Sequence, residues 1–230
     1  MAIYAIGDLH LSFSTDKPMD VFGDLWENHA DKIKDAWLER VKAEDTVLLV
    51  GDTSWALSLE DAKVDLAWIH DLPGQKILIR GNHDYWWATI NKMKDMFDDI
   101  AFIHNNFVGL DDYAICGSRG WVTPNDSNFT AHDEKIYKRE LHRMKLSLDA
   151  AVKAGHDRII VMLHYPPTND KKEWSDMQAL LEGYPVKHVV YGHLHTKYCW
   201  QLSLEGKHGP IDYHMVACDY LNFILKKIEG

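Results

Sequence analysis

Five short runs of apolar, largely β-branched residues recur along the chain, at residues 3–6, 46–50, 76–79, 159–163 and 188–191. A run that is apolar at successive positions has no polar face, which suits a central strand of a mostly parallel sheet covered on both sides. Between these runs apolar residues return every three or four positions. The sets are Ala30, Ile33, Trp37 and Val41; Leu59, Ala62, Leu66 and Ile69 behind Ser58 as N-cap; and Ile136/Tyr137, Leu141, Met144, Leu148 and Val152. This spacing predicts amphipathic helices, the last with Glu134/Lys138 and Asp149/Lys153 as i,i+4 pairs on its polar side. Two stretches break the alternation. Residues 100–117 read as three strands (100–104, 107–110, 113–117) with turns at Asn105-Asn106 and Asp111-Asp112. The C-terminus reads as strands at 199–204, 211–217 and 222–228. Strands with no helix between them imply antiparallel pairing. The expectation is an α/β fold in one domain over residues 1–230, with two mixed sheets packed as a sandwich and flanked by helices.

Composition narrows the function classes. The 230 residues carry 25 Lys plus Arg against 35 Asp plus Glu, a formal charge of −10. A long nucleic acid would meet repulsion, so a polymer partner is not expected. No apolar run reaches the roughly 18 residues of a membrane span, and the N-terminus runs into Gly7-Asp8 without a basic leader, so it reads as a strand. The three cysteines, Cys116, Cys199 and Cys218, lie far apart and outside any CxxC. A reducing, cytoplasmic setting is the expectation. The oligomeric state is left open.

The candidate chemistry sits where the strands end. The five runs lead into Asp8-Leu9-His10, Gly51-Asp52, Gly81-Asn82-His83-Asp84, His164 and Gly192-His193-Leu194-His195. In open α/β sheets the carboxyl ends of neighbouring strands meet at one crevice. Five segments would then deliver two carboxylates, an amide and as many as five imidazoles to one edge. Such N/O donors without thiolate suit divalent transition metals, Mn²⁺ first, with Fe, Zn²⁺, Co²⁺ or Ni²⁺ as alternatives. Arg119 and Arg80 lie beside these loops, Arg119 as a candidate phosphate clamp and Arg80 as a structural residue. Trp55, Trp86, Trp87 and Trp121 fall in loops beside them, with Trp86 and Trp121 the candidates for stacking on substrate. Asp219 and Asn222 follow a strand end near enough to touch the site. The remaining histidines, His132, His208 and His214 among them, read as solvated surface.

The string D-x-H … G-D … G-N-H-D … H … G-H-x-H, from Asp8 to His195, resembles the calcineurin-like metallophosphoesterases. The resemblance implies a β-sandwich with flanking helices and two divalent ions. One would be held by Asp8, His10, Asp52 and His195, the other by Asp52, Asn82, His164 and His193. It implies attack on a small phosphomonoester or phosphodiester by a hydroxide bridging the ions, with His83 as general acid; the family's orienting Asp is missing, and Asp84, adjacent to His83, is the candidate substitute. The Gly-Asp-x-x-Asp-Arg-Gly stretch of the phosphoprotein phosphatases is replaced by Gly51-Asp52-Thr53-Ser54-Trp55-Ala56. This places the chain nearer the phosphodiesterase-like, bacterial branch. A non-catalytic scaffold of the same fold and a nuclease are the alternatives.

Overall fold

The computed structural model describes all 230 residues. In chain order the elements are β1 (Ile3–Ile6), α1 (His29–Arg40), β2 (Thr46–Leu49), α2 (Leu59–His70), β3 (Gln75–Leu78), α3 (Ile90–Met93) and β4 (Ile100–Phe102). They continue as β5 (Phe107–Gly109), β6 (Ala114–Ser118), α4 (Ala131–Lys153), β7 (Ile159–Leu163), α5 (Asp176–Glu182), β8 (Val186–Tyr191), α6 (Lys197–Gln201), β9 (Gly206–His208), β10 (Ile211–Met215) and β11 (Lys226–Glu229). Two single turns of 3-10 helix, Met19–Phe22 and Asp24–Trp26, lie between β1 and α1.

The strands form two mixed sheets. The first runs β11-β1-β2-β3-β4, parallel except for β11; the second runs β5-β6-β7-β8-β10-β9, parallel except for β5 and β9 at its edges. The all-apolar strands are explained by what covers them. Successive side chains point to opposite faces, so in β1 Ile3 and Ala5 pack against the second sheet while Tyr4 and Ile6 pack against α1 and α2. Ile77 and Ile79 meet Ile115, Ile160 and Met162 in the sandwich interior. A third cluster joins Val161, Leu163 and Val189 to Met144 and Leu148 of α4. Helices therefore flank a two-sheet sandwich, and its central strands are buried on both faces.

Several expectations need correction. β4 pairs parallel with β3 and belongs to the first sheet, so the chain changes sheets between Phe102 and Phe107. β10 pairs parallel with β8. The stretch expected as a strand at 199–204 begins inside a helix. Alternation of Trp200, Leu202 and Leu204 imitates a strand, but the Thr196 side chain accepts the Cys199 N–H and starts α6. The buried stripe of α4 is Tyr137, Glu140, Met144, Ser147, Leu148 and Ala151, with Val152 exposed. Ser147 is inside because its hydroxyl accepts the Gly117 N–H at 3.1 Å and donates to Asn106 O at 2.5 Å. Lys138 meets Glu134 as expected, whereas Asp149 pairs with Lys145. His214 is buried and lies 3.1 Å from His188. No helix is long and apolar enough to cross a membrane.

One buried charge is built into the first sheet. Lys76 of β3 is 1% exposed; its ammonium donates to the carbonyls of His70 and Leu72 and pairs with Asp99. Asp99→Ala should cost about 3 kcal/mol because it strands the ammonium, and Lys76→Met, which removes the charge together with its need, should cost clearly less. Urea unfolding of both variants checks the order; equal losses would mean that the pair does not carry the charge.

Candidate metal centre

The pairing of β1 with β2 continues beyond both strands. Asp8 N–H donates to Gly51 O, His10 N–H to Asp52 O and Leu11 N–H to Thr53 O, at 2.9–3.0 Å. Along this extension Asp8, His10 and Asp52 adopt φ of 58°, 47° and 50°, and His193 across the site adopts 71°. Left-handed backbone costs an L-residue roughly 1–2 kcal/mol. What holds it in the β2 loop is Asp84. Its buried carboxylate accepts the N–H groups of Asp52, Thr53, Ser54 and Gly81 and the indole N–H of Trp86, all between 2.7 and 3.2 Å. Glycine is required where the loops close in: a Cβ on Gly81 would lie 2.1 Å from Asp52 Oδ1, and one on Gly192 would lie 2.2 Å from Asp8 Oδ2.

Two nests of ligand-type atoms result, Asp8–His10–His195 and Asp52–His164–His193. In the first, His195 Nε2 lies 3.6 Å from Asp8 Oδ1. In the second, His164 Nε2 faces Asn82 Oδ1 at 2.6 Å, His193 Nδ1 at 3.2 Å and Asp52 Oδ2 at 3.4 Å. Asp52 Oδ2 is also 3.9 Å from His10 Nε2, so this carboxylate stands between the nests. The Val50 carbonyl, 3.0 Å from His164 Nδ1, takes the ring proton there and leaves the Nε2 lone pair facing the other acceptors. His10 Nδ1 is buried with no hydrogen-bond partner. Lone pairs converging on lone pairs need a cation between them, and the residues present fit divalent metal ions.

The electrostatics point the same way. Burial works against the Asp8 carboxylate, but contact with His195 and the nearby His164 and His10 rings hold it well below the ordinary range. Asp52 moves oppositely: burial and then the Asp8 charge push it up to about 7. Burial, reinforced by the neighbouring His164, drives His193 down to about 3, and burial lowers His10 and His164 as well. These three rings are neutral and able to ligate at pH 7. His195 is the exception. Burial would lower it, but Asp219 and Asp8 outweigh burial and raise it to about 10.

The sequence-expected residues divide into those inside the site and those outside it. Asp8, His10, Asp52, Asn82, His164, His193 and His195 come together. The His83 ring is half buried beside them, 4.6 Å from the Trp55 ring and 5.9 Å from that of His10. Asp84 is not an orienter of His83: its oxygens are occupied by the five donors above, none of them on the His83 ring. Trp86 is buried in the first-sheet core and held by Asp84, so it offers no stacking face. Trp121 stands behind Tyr165, whose ring is 4.0 Å from that of His193. Arg119 lies over the Trp121 ring and does not line the metal-side cavity.

Residues that the sequence left without an assigned role complete the site. Asp219 is buried, with Oδ1 3.1 Å from His195 Nδ1, turning Nε2 toward Asp8. A cavity of about 440 Å³ opens over His10, His83, His193 and His195, walled by Met19, Phe22, Leu25, Trp26, Trp55 and Trp200. The Trp55 ring stacks on His10 at 4.8 Å. Only the position of Trp55, two residues after Thr53 in the Gly-Asp loop, hinted at this wall.

Comparison with known proteins gives one family, one sequence relative and two solved structures. A family model described as calcineurin-like phosphoesterase matches residues 1–197. The Gene 66 protein of Mycobacterium phage L5 is 38% identical over 77 residues, which are 34% of this chain and 37% of that protein. Among solved structures, the phosphopantetheinyl hydrolase of Mycobacterium tuberculosis superposes with a TM-score of 0.58 at 13% identity, covering 99% of this chain and 95% of the other. A protein of unknown function from Aquifex aeolicus covers 98% and 95% at 17% identity, with a TM-score of 0.48.

Two predictions follow from the loop geometry and the protons. Asp84→Asn keeps the shape but turns an NH₂ group toward N–H donors, so stability should fall by about 2–3 kcal/mol in denaturant unfolding. A loss of turnover with unchanged stability would return Asp84 to an orienting role. Metal ions bound in these nests would have to displace the protons held by His195 and, near neutrality, by Asp52. Affinity should therefore rise with pH between 7 and 10, with about one to two protons released per chain on filling both nests at pH 7. In Asp219→Asn the anion that raises His195 is gone, so fewer protons should be released and affinity should fall about 10–100-fold. Calorimetry in buffers of different ionisation enthalpy measures both quantities; absence of proton release would sink the assignment.

Proposed function

The chain belongs to the calcineurin-like phosphoesterase family, and we propose that it hydrolyses small phosphate esters with two divalent metal ions held at the edge of the sheets. The observation that carries this reading is the pair of adjacent nests sharing Asp52, with an unligated imidazole, His83, beside them. In this proposal Asp8, His10, Asp52 and His195 hold one ion and Asp52, Asn82, His164 and His193 the other, with Mn²⁺ the first choice. Bound ions of this kind polarise phosphoryl oxygens and supply a nucleophile at neutral pH. The protein's own residues then have distinct tasks. Asp219 and the Val50 carbonyl fix the orientation of two imidazoles. The Met19, Trp26, Trp55 and Trp200 wall keeps water from the reacting face and suits an ester whose non-phosphate part is flat or apolar.

His83 is assigned the proton delivered to the departing oxygen. Burial, and after it the neighbouring His164, lower its pKa, so a proton placed there is readily given up. Asp52 accepts the His83 backbone N–H at 2.8 Å, which ties the ring's position to the centre itself. The Mycobacterium tuberculosis relative is a phosphopantetheinyl hydrolase. Its likeness extends to the fold, so the breadth of substrate is argued from the cavity alone.

The test separates chemistry from metal binding. His83→Ala should retain both metal ions by elemental analysis while kcat falls about 10²–10⁴-fold. The loss should be larger for alkyl phosphates, whose alkoxide needs a proton, than for nitrophenyl phosphates. Equal loss for both ester types would make His83 a positioning residue, loss of metal would make it a ligand, and no hydrolysis of any ester by metal-loaded wild type would refute the activity.

A further inference from the structure

Arg80, Arg119, Arg139 and Arg143, four of the chain's six arginines, line one pocket of about 190 Å³. It shares no lining residue with the metal-side cavity. Three separate segments supply them: Arg80 just after β3, Arg119 just after β6, and Arg139 with Arg143 one turn apart on α4. The fold thus gathers cations that the sequence scatters.

Their charge is not balanced within the protein. The one acid in the pocket lining is Glu140, which is fully buried. Its Oε1 is 2.7 Å from Arg143, 3.7 Å from Arg139 and 3.8 Å from Arg119, and its Oε2 has no hydrogen-bond partner. Arg80 pairs with no acidic side chain, and the Nε atoms of Arg80 and Arg119 are buried without partners. Four guanidiniums against one carboxylate leave an excess of three positive charges in a chain of net charge −10. A structural ion-pair network has no need of such an excess, since like charges at close quarters repel. Guanidinium forks match the oxygens of a phosphate-type anion two at a time.

We propose that this pocket is a second anion site, binding a phosphate-type oxyanion, either free or as the terminal phosphoryl group of a larger molecule whose body stays in solvent. The volume supports the size limit, being below the roughly 300 Å³ at which drug-sized ligands begin to fit. The rim is open, since Arg139, His104 and Asn105 are exposed. The site is linked to the metal side through the backbone. The Arg119 carbonyl accepts the N–H groups of His164 and Tyr165, both at 3.0 Å, and Arg80 is bonded directly to Gly81, next to Asn82. Anion binding there bears on the segments that present Asn82 and His164. The inference does not rest on hydrolysis at the metal centre.

The experiment is calorimetric titration of the metal-loaded full chain with orthophosphate, and of its Asp52→Asn variant with orthophosphate and AMP. Wild type should give two classes of phosphate site. In Asp52→Asn the class belonging to the metals should weaken while the arginine class stands. Arg80→Gln and Arg139→Gln, made separately so that one misfolded variant does not decide the matter, should each weaken the arginine class about tenfold or more. AMP binding as tightly as phosphate supports a terminal phosphoryl group as the ligand; binding of phosphate alone supports the free ion. A single class of site in wild type, or a second class unmoved by both arginine substitutions, overturns the proposal and leaves the arginines as a structural network around Glu140.

Discussion

Asp8 and Asp52 are buried side by side at the sheet edge, and His164 lies within 3.8 Å of both. Two carboxylates withdrawn from water at this separation oppose folding unless positive charge is supplied between them. The chain supplies some of it itself. His195, held cationic between Asp8 and Asp219, offsets one carboxylate, while Asp52 is left sharing a proton near neutrality. Divalent ions in place of those protons, as proposed, would satisfy both acids and the three neutral imidazoles at once. The surroundings follow from this requirement. Loops must turn their side chains inward at left-handed φ, glycine must stand at 81 and 192 so that the carboxylates can be approached, and a further acid must tie the loop amides together.

That further acid is Asp84, and it illustrates how a residue beside a catalytic candidate can be read wrongly. Adjacent to His83 in sequence, it suggests a partner for the imidazole. In the fold the backbone turns between the two, and the carboxylate faces back into the β2 loop, where five N–H groups compete for two oxygens. Burial and the nearby Asp52 raise it to about 6, against the pull of those donors. The arrangement is stabilising for the loop and unavailable to His83.

What the sequence made legible was whatever depends on local order. Apolar runs gave the central strands, and the polar residues at their ends gave the six residues of the nests and Asn82 beside them, because strand direction alone brings parallel carboxyl ends to one edge. What it hid depends on long-range packing. Asp219 lies 24 residues beyond His195; its place after a strand end put it near the site, but nothing in the sequence marked it as the partner of that ring. Trp26 and Trp200 belong to elements whose short 3-10 and α turns carry no periodic pattern, yet they line the same cavity. Glu140 sits in the apolar stripe of α4, where the spacing rule calls for a hydrophobic residue, and only the fold reveals the arginines that admit it. The misassigned sheet of β4 has the same origin: a three-residue strand carries no information about the partner it will choose.

The placement of arginine is therefore a statement about division of labour. A phosphate ester approaching a protein of net charge −10 must be met by concentrated positive charge. The metal-side cavity has no arginine in its lining, and Lys197 is its one lysine. In the proposed function, attraction at that face would come from ions held by Asp8, Asp52 and their imidazoles, with the aromatic wall free to contact the rest of the ester. Meanwhile the guanidiniums, which need no metal to carry charge, are collected around Glu140, in a pocket tied through Arg80 and the Arg119 carbonyl to the backbone that presents Asn82 and His164. A divalent ion at the reacting face can activate an oxygen; a guanidinium can only hold one. With both proposals taken together, keeping the two kinds of cation in separate cavities would let the same fold recognise phosphate in two ways, one coupled to bond breaking and the other to binding alone.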